Sequence, residues 1–153
     1  MNRSPSTADP LSESAALVDV LVQAAFMTMA VLNRVAGDND LSLTQLRVLA
    51  ILRDRVVGVT ELAEYLGLEK STMSGLIERA EKRGFVRRTR SKSDRRGVQV
   101  SMTREGQKLA GRMYADVEQS LLPMMRALAG AERSRLQALL ERMLRRGVEA
   151  QRA

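Results

Sequence analysis

Residues 59–78 read VTELAEYLGLEKSTMSGLIE, and how this stretch folds decides the reading of everything around it. Its apolar positions, Leu62, Leu66, Leu68, Met73 and Leu76, fall at helical spacing in two short runs, with Ala63 and Gly67 among them. Two short helices that cross steeply need a small residue where the backbones meet and a glycine in the turn. Thr60 can cap the first helix, which runs to about Leu66. Leu66-Gly67-Leu68 then reads as a helix end with its glycine left-handed. The second helix runs from about Lys70 to Arg83, with Met73, Leu76, Ile77 and Ala80 as its inner face, and Gly84 ends it.

Working outward toward the C-terminus, Phe85–Arg90 and Gly97–Met102 alternate with period two and read as paired strands. The turn between them carries Lys92, Ser93, Asp94, Arg95 and Arg96. From Val86 to Arg104 there are seven Lys or Arg residues against Asp94 alone, a local charge of +6 in a chain whose net charge is +7. Residues 1–41 carry Arg3 and Arg34 against five acidic residues. A cationic hairpin opposite an acidic remainder points to a polyanion at one face. Mutually repelling arginines at a hairpin tip are costly to hold alone and favourable against phosphates or in a narrow minor groove. Asp94 can pair with one guanidinium and direct it. A helix pair followed at once by a basic hairpin describes a winged helix-turn-helix.

The other flank fits that frame. Ser42 with Gln45 three positions on is a capping box, and Leu46, Leu49, Ala50 and Arg53 continue at helical spacing, so a helix is expected near 43–54. Residues 12–36 predict a long helix that is apolar on most of its circumference, which asks for burial on more than one side. In so small a protein that means a second subunit. Thr103 caps a long helix to about Leu122, where Pro123 should kink or end it. A last helix near 131–146 lines up Leu136, Leu139, Leu140, Met143 and Leu144. The expected fold class is mainly α with a small β-hairpin wing. Its parts are a flexible tail at 1–11, an N-terminal dimerisation helix at 12–41, the winged helix-turn-helix at 42–103, and C-terminal dimerisation helices at 104–150.

Composition closes off several functions. The 153 residues contain no cysteine and no histidine, which removes disulfides, thiol redox sensing, zinc sites and His-based catalysis. No cofactor is expected, and no convergent set of carboxylates, lysines or serines supports an enzyme. Aromatic residues are only 3% of the chain, so Leu, Val, Ala and nine Met residues must fill an adaptable aliphatic core. Ala15–Ala36 is apolar enough to test as a membrane span, but Asp19, Gln23, Asn33 and Arg34 interrupt it. A cytoplasmic protein without a membrane partner is the expectation.

On the outer face of the 70–83 helix lie Lys70, Ser71, Thr72, Ser74 and Gly75, short and polar side chains suited to a major groove. The wing at 86–102 offers Arg90, Lys92, Ser93, Asp94, Arg95 and Arg96. Thr60, Arg87 and Arg88 are candidates for phosphate contacts. The same module can serve as a platform for RNA or a protein partner, which stands as the alternative.

These residues resemble the MarR family of multiple antibiotic resistance regulators over residues 12–146. Asp94-Arg95-Arg96 followed by Val98-Gln99-Val100-Ser101-Met102-Thr103 is similar to the family's wing motif, with Met102 where Leu is usual. Leu41-Ser42-Leu43-Thr44-Gln45 and Gly84-Phe85-Val86-Arg87-Arg88 resemble its entry to the second helix and its passage from recognition helix to wing. The resemblance implies a homodimer that places one recognition helix in the major groove and one wing in the minor groove of an inverted-repeat operator in double-stranded DNA. It implies Arg96 as the minor-groove arginine with Asp94 as its orienting partner. It also implies a repressor released by a small aromatic or anionic effector, with Phe26, Met29, Leu49, Met113 and Val117 as candidate pocket residues.

Overall fold

The computed structural model describes residues 10–90 and 97–151, with side chains over 14–90 and 97–146. The chain divides into two compact units, Met1–Val117 and Glu118–Ala153, taken here in turn.

The first unit begins with helix α1, Pro10–Asp38, which starts on a proline whose missing N–H costs nothing at that position. It is longer at both ends than the 12–36 expected. Only its C-terminal end enters the core, through Val35 and Ala36. Asp40, at φ 53°, turns the chain into helix α2, Leu43–Leu52. The capping box is present: the Gln45 amide donates to Ser42 Oγ at 3.2 Å, and the Ser42 amide donates to Gln45 Oε1 at 2.8 Å.

A two-residue strand β1, Val57–Gly58, precedes α3, Val59–Leu66. Gly67, at φ 64°, ends α3 as its left-handed cap, and its amide and that of Leu68 close onto Glu64 and Ala63 carbonyls. Helix α4, Lys70–Lys82, buries Met73, Leu76, Ile77 and Ala80, the inner face that the spacing predicted. Strands β2, Val86–Arg90, and β3, Val98–Met102, pair antiparallel with Val86 opposite Met102 and Arg90 opposite Val98. The sheet order is β1-β3-β2, so the hairpin gains a third strand that two residues are too few to announce in sequence. Leu49, Leu52, Leu62, Met73, Ile77, Val86 and Val100 are fully buried and tie α2, α3, α4 and the sheet into one core. The unit is a winged helix-turn-helix, mainly α with a small sheet.

Helix α5, Arg104–Arg126, starts under Thr103, whose hydroxyl accepts from the Gly106 amide at 3.0 Å and donates to the Gly84 carbonyl at 2.6 Å. It runs past the Leu122 expected, so of the two outcomes expected at Pro123, a kink or an end, the end does not occur. Pro123 lies inside its last turn, where a proline removes one backbone hydrogen bond and the remaining turn bonds hold the helix to Arg126. In the second unit, α6 spans Gly130–Gln151. Its Leu136, Leu139, Leu140, Met143 and Leu144 stripe is exposed in the single chain.

Candidate nucleic-acid interface

Helix α4 presents two unlike faces because its apolar residues recur at three- and four-residue spacing. Met73 and Ile77 are fully buried, while Lys70, Ser71, Thr72 and Ser74 stand exposed on the opposite side, with Gly75 partly covered. Glu69 begins the helix without a side-chain cap, so the first amides of α4 remain open to an outside acceptor. Ser74 Oγ donates to the Lys70 carbonyl at 2.8 Å, a back-bond that holds the hydroxyl close to the helix.

Beside α4, β2 carries Arg88 and Arg90 on one face and Arg87 on the other, all exposed. Between helix and sheet lies a cleft of about 230 Å³ lined by Thr60, Lys70, Ser74, Arg88 and Gly97, over an apolar floor that includes Val59 and Ile77. Thus Thr60 and Lys70, from two different helices, meet Arg88 at one concave, cationic place. Two of the arginines are already engaged. Arg87 Nε donates to Ser101 Oγ across the ladder at 3.1 Å. Arg88 donates three times to Glu81: its amide to Oε1 at 3.0 Å, Nε to Oε2 at 2.7 Å and Nη2 to Oε2 at 2.6 Å. These hydrogen bonds from Arg88 hold the Glu81 carboxyl below its ordinary value of 4.5. Lys92, Ser93, Asp94, Arg95 and Arg96 lie outside the described residues.

At its far end α4 is tied to the α1–α2 turn. Arg83 Nη1 donates to the Asp40 carbonyl at 2.7 Å and Nη2 to the Asn39 carbonyl at 3.2 Å, while the guanidinium lies 4.8 Å above the Phe85 ring. Sequence reading missed this strut and the Glu81–Arg88 contact. Both link residues through folded geometry, and the only prior signal was the run of charges bracketing Gly84.

A second cavity, also about 230 Å³, lies within the first unit between α1, α2 and α5. It is lined by Leu32, Leu46, Ala50, Arg53, Ala110, Met113, Tyr114 and Val117, with the Arg53 guanidinium 4.7 Å from the Tyr114 ring centroid. Of the five pocket candidates, Met113 and Val117 line it. Leu49 is 2% exposed and belongs to the core, while Phe26 and Met29 are 71% and 41% exposed on α1. The signal for the rest was helical spacing: 46, 50 and 53 share one stripe of α2, and 110, 113, 114 and 117 one stripe of α5. Among the described residues no group of three or more acidic side chains is placed to hold a metal ion.

A family profile described as the MarR family matches residues 39–97, from the α1–α2 turn to the start of β3. An HTH-type transcriptional regulator of Bacillus subtilis, YfiV, is 35% identical over 103 residues, 67% of this chain and 62% of its own length, so the match spans less than two thirds of that relative. The chain belongs to the MarR family. Solved MarR-type folds superpose over nearly the whole chain. NadR in complex with 4-hydroxyphenylacetate matches with a TM-score of 0.69 at 22% identity, over 94% of this chain and 97% of its own. A mutant MarR from Escherichia coli complexed with operator DNA matches with a TM-score of 0.67 at 22% identity, over 90% and 99%. At that identity the likeness concerns the fold, and on it the MarR-family helix-turn-helix of this chain is α3 and α4, with β2 and β3 as the wing.

Proposed function

We propose that this chain is a cytoplasmic, dimeric MarR-type regulator of transcription that binds double-stranded DNA. The observation that carries it is the juxtaposition at the cleft: the short polar face of α4 and the Arg88 face of β2 flank one concave surface. A helix with Lys, Ser and Thr outward enters a major groove and reads base edges, while neighbouring cations meet the backbone and set register. Lys70, Ser71, Thr72, Ser74 and Gly75 are the groove-reading set. Thr60 and Arg87 are assigned to phosphates, whereas Arg88, a phosphate candidate from the sequence, is held by Glu81; Arg90 with Lys92, Ser93, Asp94, Arg95 and Arg96 forms the wing that reaches the minor groove. The MarR complex with operator DNA, alike in fold, supports DNA as the partner.

The exposed apolar residues of α1 and α6 support the dimer. Leu17, Val18, Val20 and Leu21 are each more than two-fifths exposed, as is Leu136 on α6. Ser14–Asp38 is long and apolar enough to cross a membrane, with a mean hydropathy of 2.0. Its Asp19 and Arg34, and the entry of Val35 and Ala36 into the core, favour a protein partner over lipid. A twofold dimer reads an inverted repeat with half-sites about 10 base pairs apart. Repression relieved by an aromatic anion fits the cavity between α1, α2 and α5, where Arg53 offers a cation and Tyr114 a ring. NadR, solved with 4-hydroxyphenylacetate, supports that ligand class.

The test is selection of bound duplexes from a random pool, followed by gel-shift titration of Arg96→Ala on the selected DNA. The variant should remain folded and dimeric yet bind more weakly. Unchanged affinity removes Arg96 from the interface, and competition by duplex RNA as effective as by DNA overturns the DNA reading, because A-form RNA hides its deep groove from a helix.

A further inference from the structure

Strand β2 is the outer strand of the sheet, so one of its edges has no neighbouring strand among the described residues. Arg88 lies opposite Val100 in the ladder, and its backbone N–H is donated sideways to a carboxylate on the last turn of α4. That carboxylate, Glu81, also takes Nε and Nη2 of the same arginine. One side chain therefore receives the edge amide on Oε1 and the Nε and Nη2 side of the guanidinium on Oε2. Charge-assisted, forked contacts of this kind fix direction as well as distance. The covalent path between the two partners is short and passes through Gly84, whose φ of 76° is open to glycine and strained for other residues. A glycine joint alone does not set the angle between helix and strand. The Glu81–Arg88 contact adds a side-chain tie across it, beside the Phe85 amide's bond to the Ala80 carbonyl at 2.9 Å.

We infer that Glu81 is a positioning residue for DNA binding: through Arg88 it locks β2, and with it the wing, at a set angle to recognition helix α4, so that both arms engage one duplex together. The inference rests on the DNA-binding reading and deepens it. Arg88 then acts first on the protein, and the cleft's charge toward a phosphate comes chiefly from Lys70. Electrostatics alone predicts the opposite sign for Glu81. An acidic side chain beside a polyanion repels it, so removing the charge should tighten binding if Glu81 has no positioning role.

The probe is a duplex selected by the wild-type protein from a random pool, compared with sheared genomic DNA across a range of salt. Glu81→Ala should lose roughly fivefold or more in affinity for the selected duplex, the scale of coupling expected between contacting residues, while binding genomic fragments as well as or better than wild type. Glu81→Gln should recover part of the loss, since its amide oxygen still accepts from the Arg88 N–H. Arg88→Ala should weaken selected-duplex binding without lowering the salt slope by the roughly one unit that loss of a phosphate contact brings. The double variant should be no weaker than the worse single one. Equal or tighter binding of the selected duplex by both Glu81→Ala and Glu81→Gln overturns the inference and leaves the DNA reading standing. Failure of the wild type to select any duplex overturns both.

Discussion

At the scale of single residues, two glycines make opposite demands. A Cβ built on Gly106 would lie 2.0 Å from the Phe85 carbonyl oxygen, and backbone cannot step aside as a flexible side chain can. The close approach arises because Thr103 pins the start of α5 to the β2 entry, through Gly84 and through its own amide to the Phe85 carbonyl at 3.0 Å. Gly106→Ala should therefore destabilise the fold by about 2 kcal/mol or more, the overpacking range, read as a lower urea midpoint. Gly75 differs: a Cβ there would meet only Arg79 Nη1, at 3.5 Å. Nothing in the free protein requires that glycine, and Ala within a helix gains about 0.5–1 kcal/mol over Gly. Gly75→Ala should raise the melting temperature while weakening binding to selected DNA, because the bare backbone serves close approach to a base or sugar. A variant that is stabler and binds equally well would make Gly75 incidental.

At the scale of elements, legibility in the sequence followed how local each cause was. The Ser42–Gln45 box, the Gly67 cap and the α4 inner face are set within a few residues and could be read directly. Strand β1 could not, since Val57 and Gly58 become a strand only by pairing with Val100 and Gln99 some forty residues away. Pro123 does not end α5, because the turn that follows it continues the helix to Arg126. The cavity wall was half legible: the stripes existed in sequence, but which stripe of α1 faced inward depended on packing, so Phe26 and Met29 were chosen from the exposed side. The Glu81–Arg88 contact joins two elements and carries its own test in acid. Glu81 titrates below its ordinary 4.5 in the folded chain, so its contribution to stability is present above that value and is lost as pH falls through the lowered one. The melting difference between wild type and Glu81→Gln should be full at pH 6–7 and shrink as acidification proceeds below 4.5 and through the lowered value. A difference that stays constant over that range would mean that the carboxylate's charge contributes nothing to holding β2 against α4.

For the whole molecule, the balance of faces argues for a pair of chains. Among the described residues no charged or polar side chain is buried, whereas large apolar ones on α1 and α6 stay open: Leu17 is 61% exposed and Leu144 is 69% exposed. A soluble monomer rarely leaves contiguous apolar patches beyond about 300–600 Å² without a partner for them. An isologous dimer covers both copies of such a surface at once and doubles the DNA-reading units. Ultracentrifugation should give the wild type twice the 17.0 kDa of one chain. Leu17→Asp places an unpaired charge on the apolar face of α1 and Leu139→Asp one on that of α6, and each should shift the population toward monomer without unfolding the first unit. Its core is built from the C-terminal end of α1, α2, α3, α4, the sheet and the first half of α5, and neither Leu17 nor Leu139 is among its residues. The consequence for binding follows from linkage. Two half-sites joined through one dimer act at high effective concentration, so a monomer loses most of its preference for the selected duplex and keeps the weak, salt-sensitive affinity of its cationic face. Monomeric variants that bind the selected duplex as tightly as wild type would show that each chain reads DNA alone, and that the apolar surface serves some other contact.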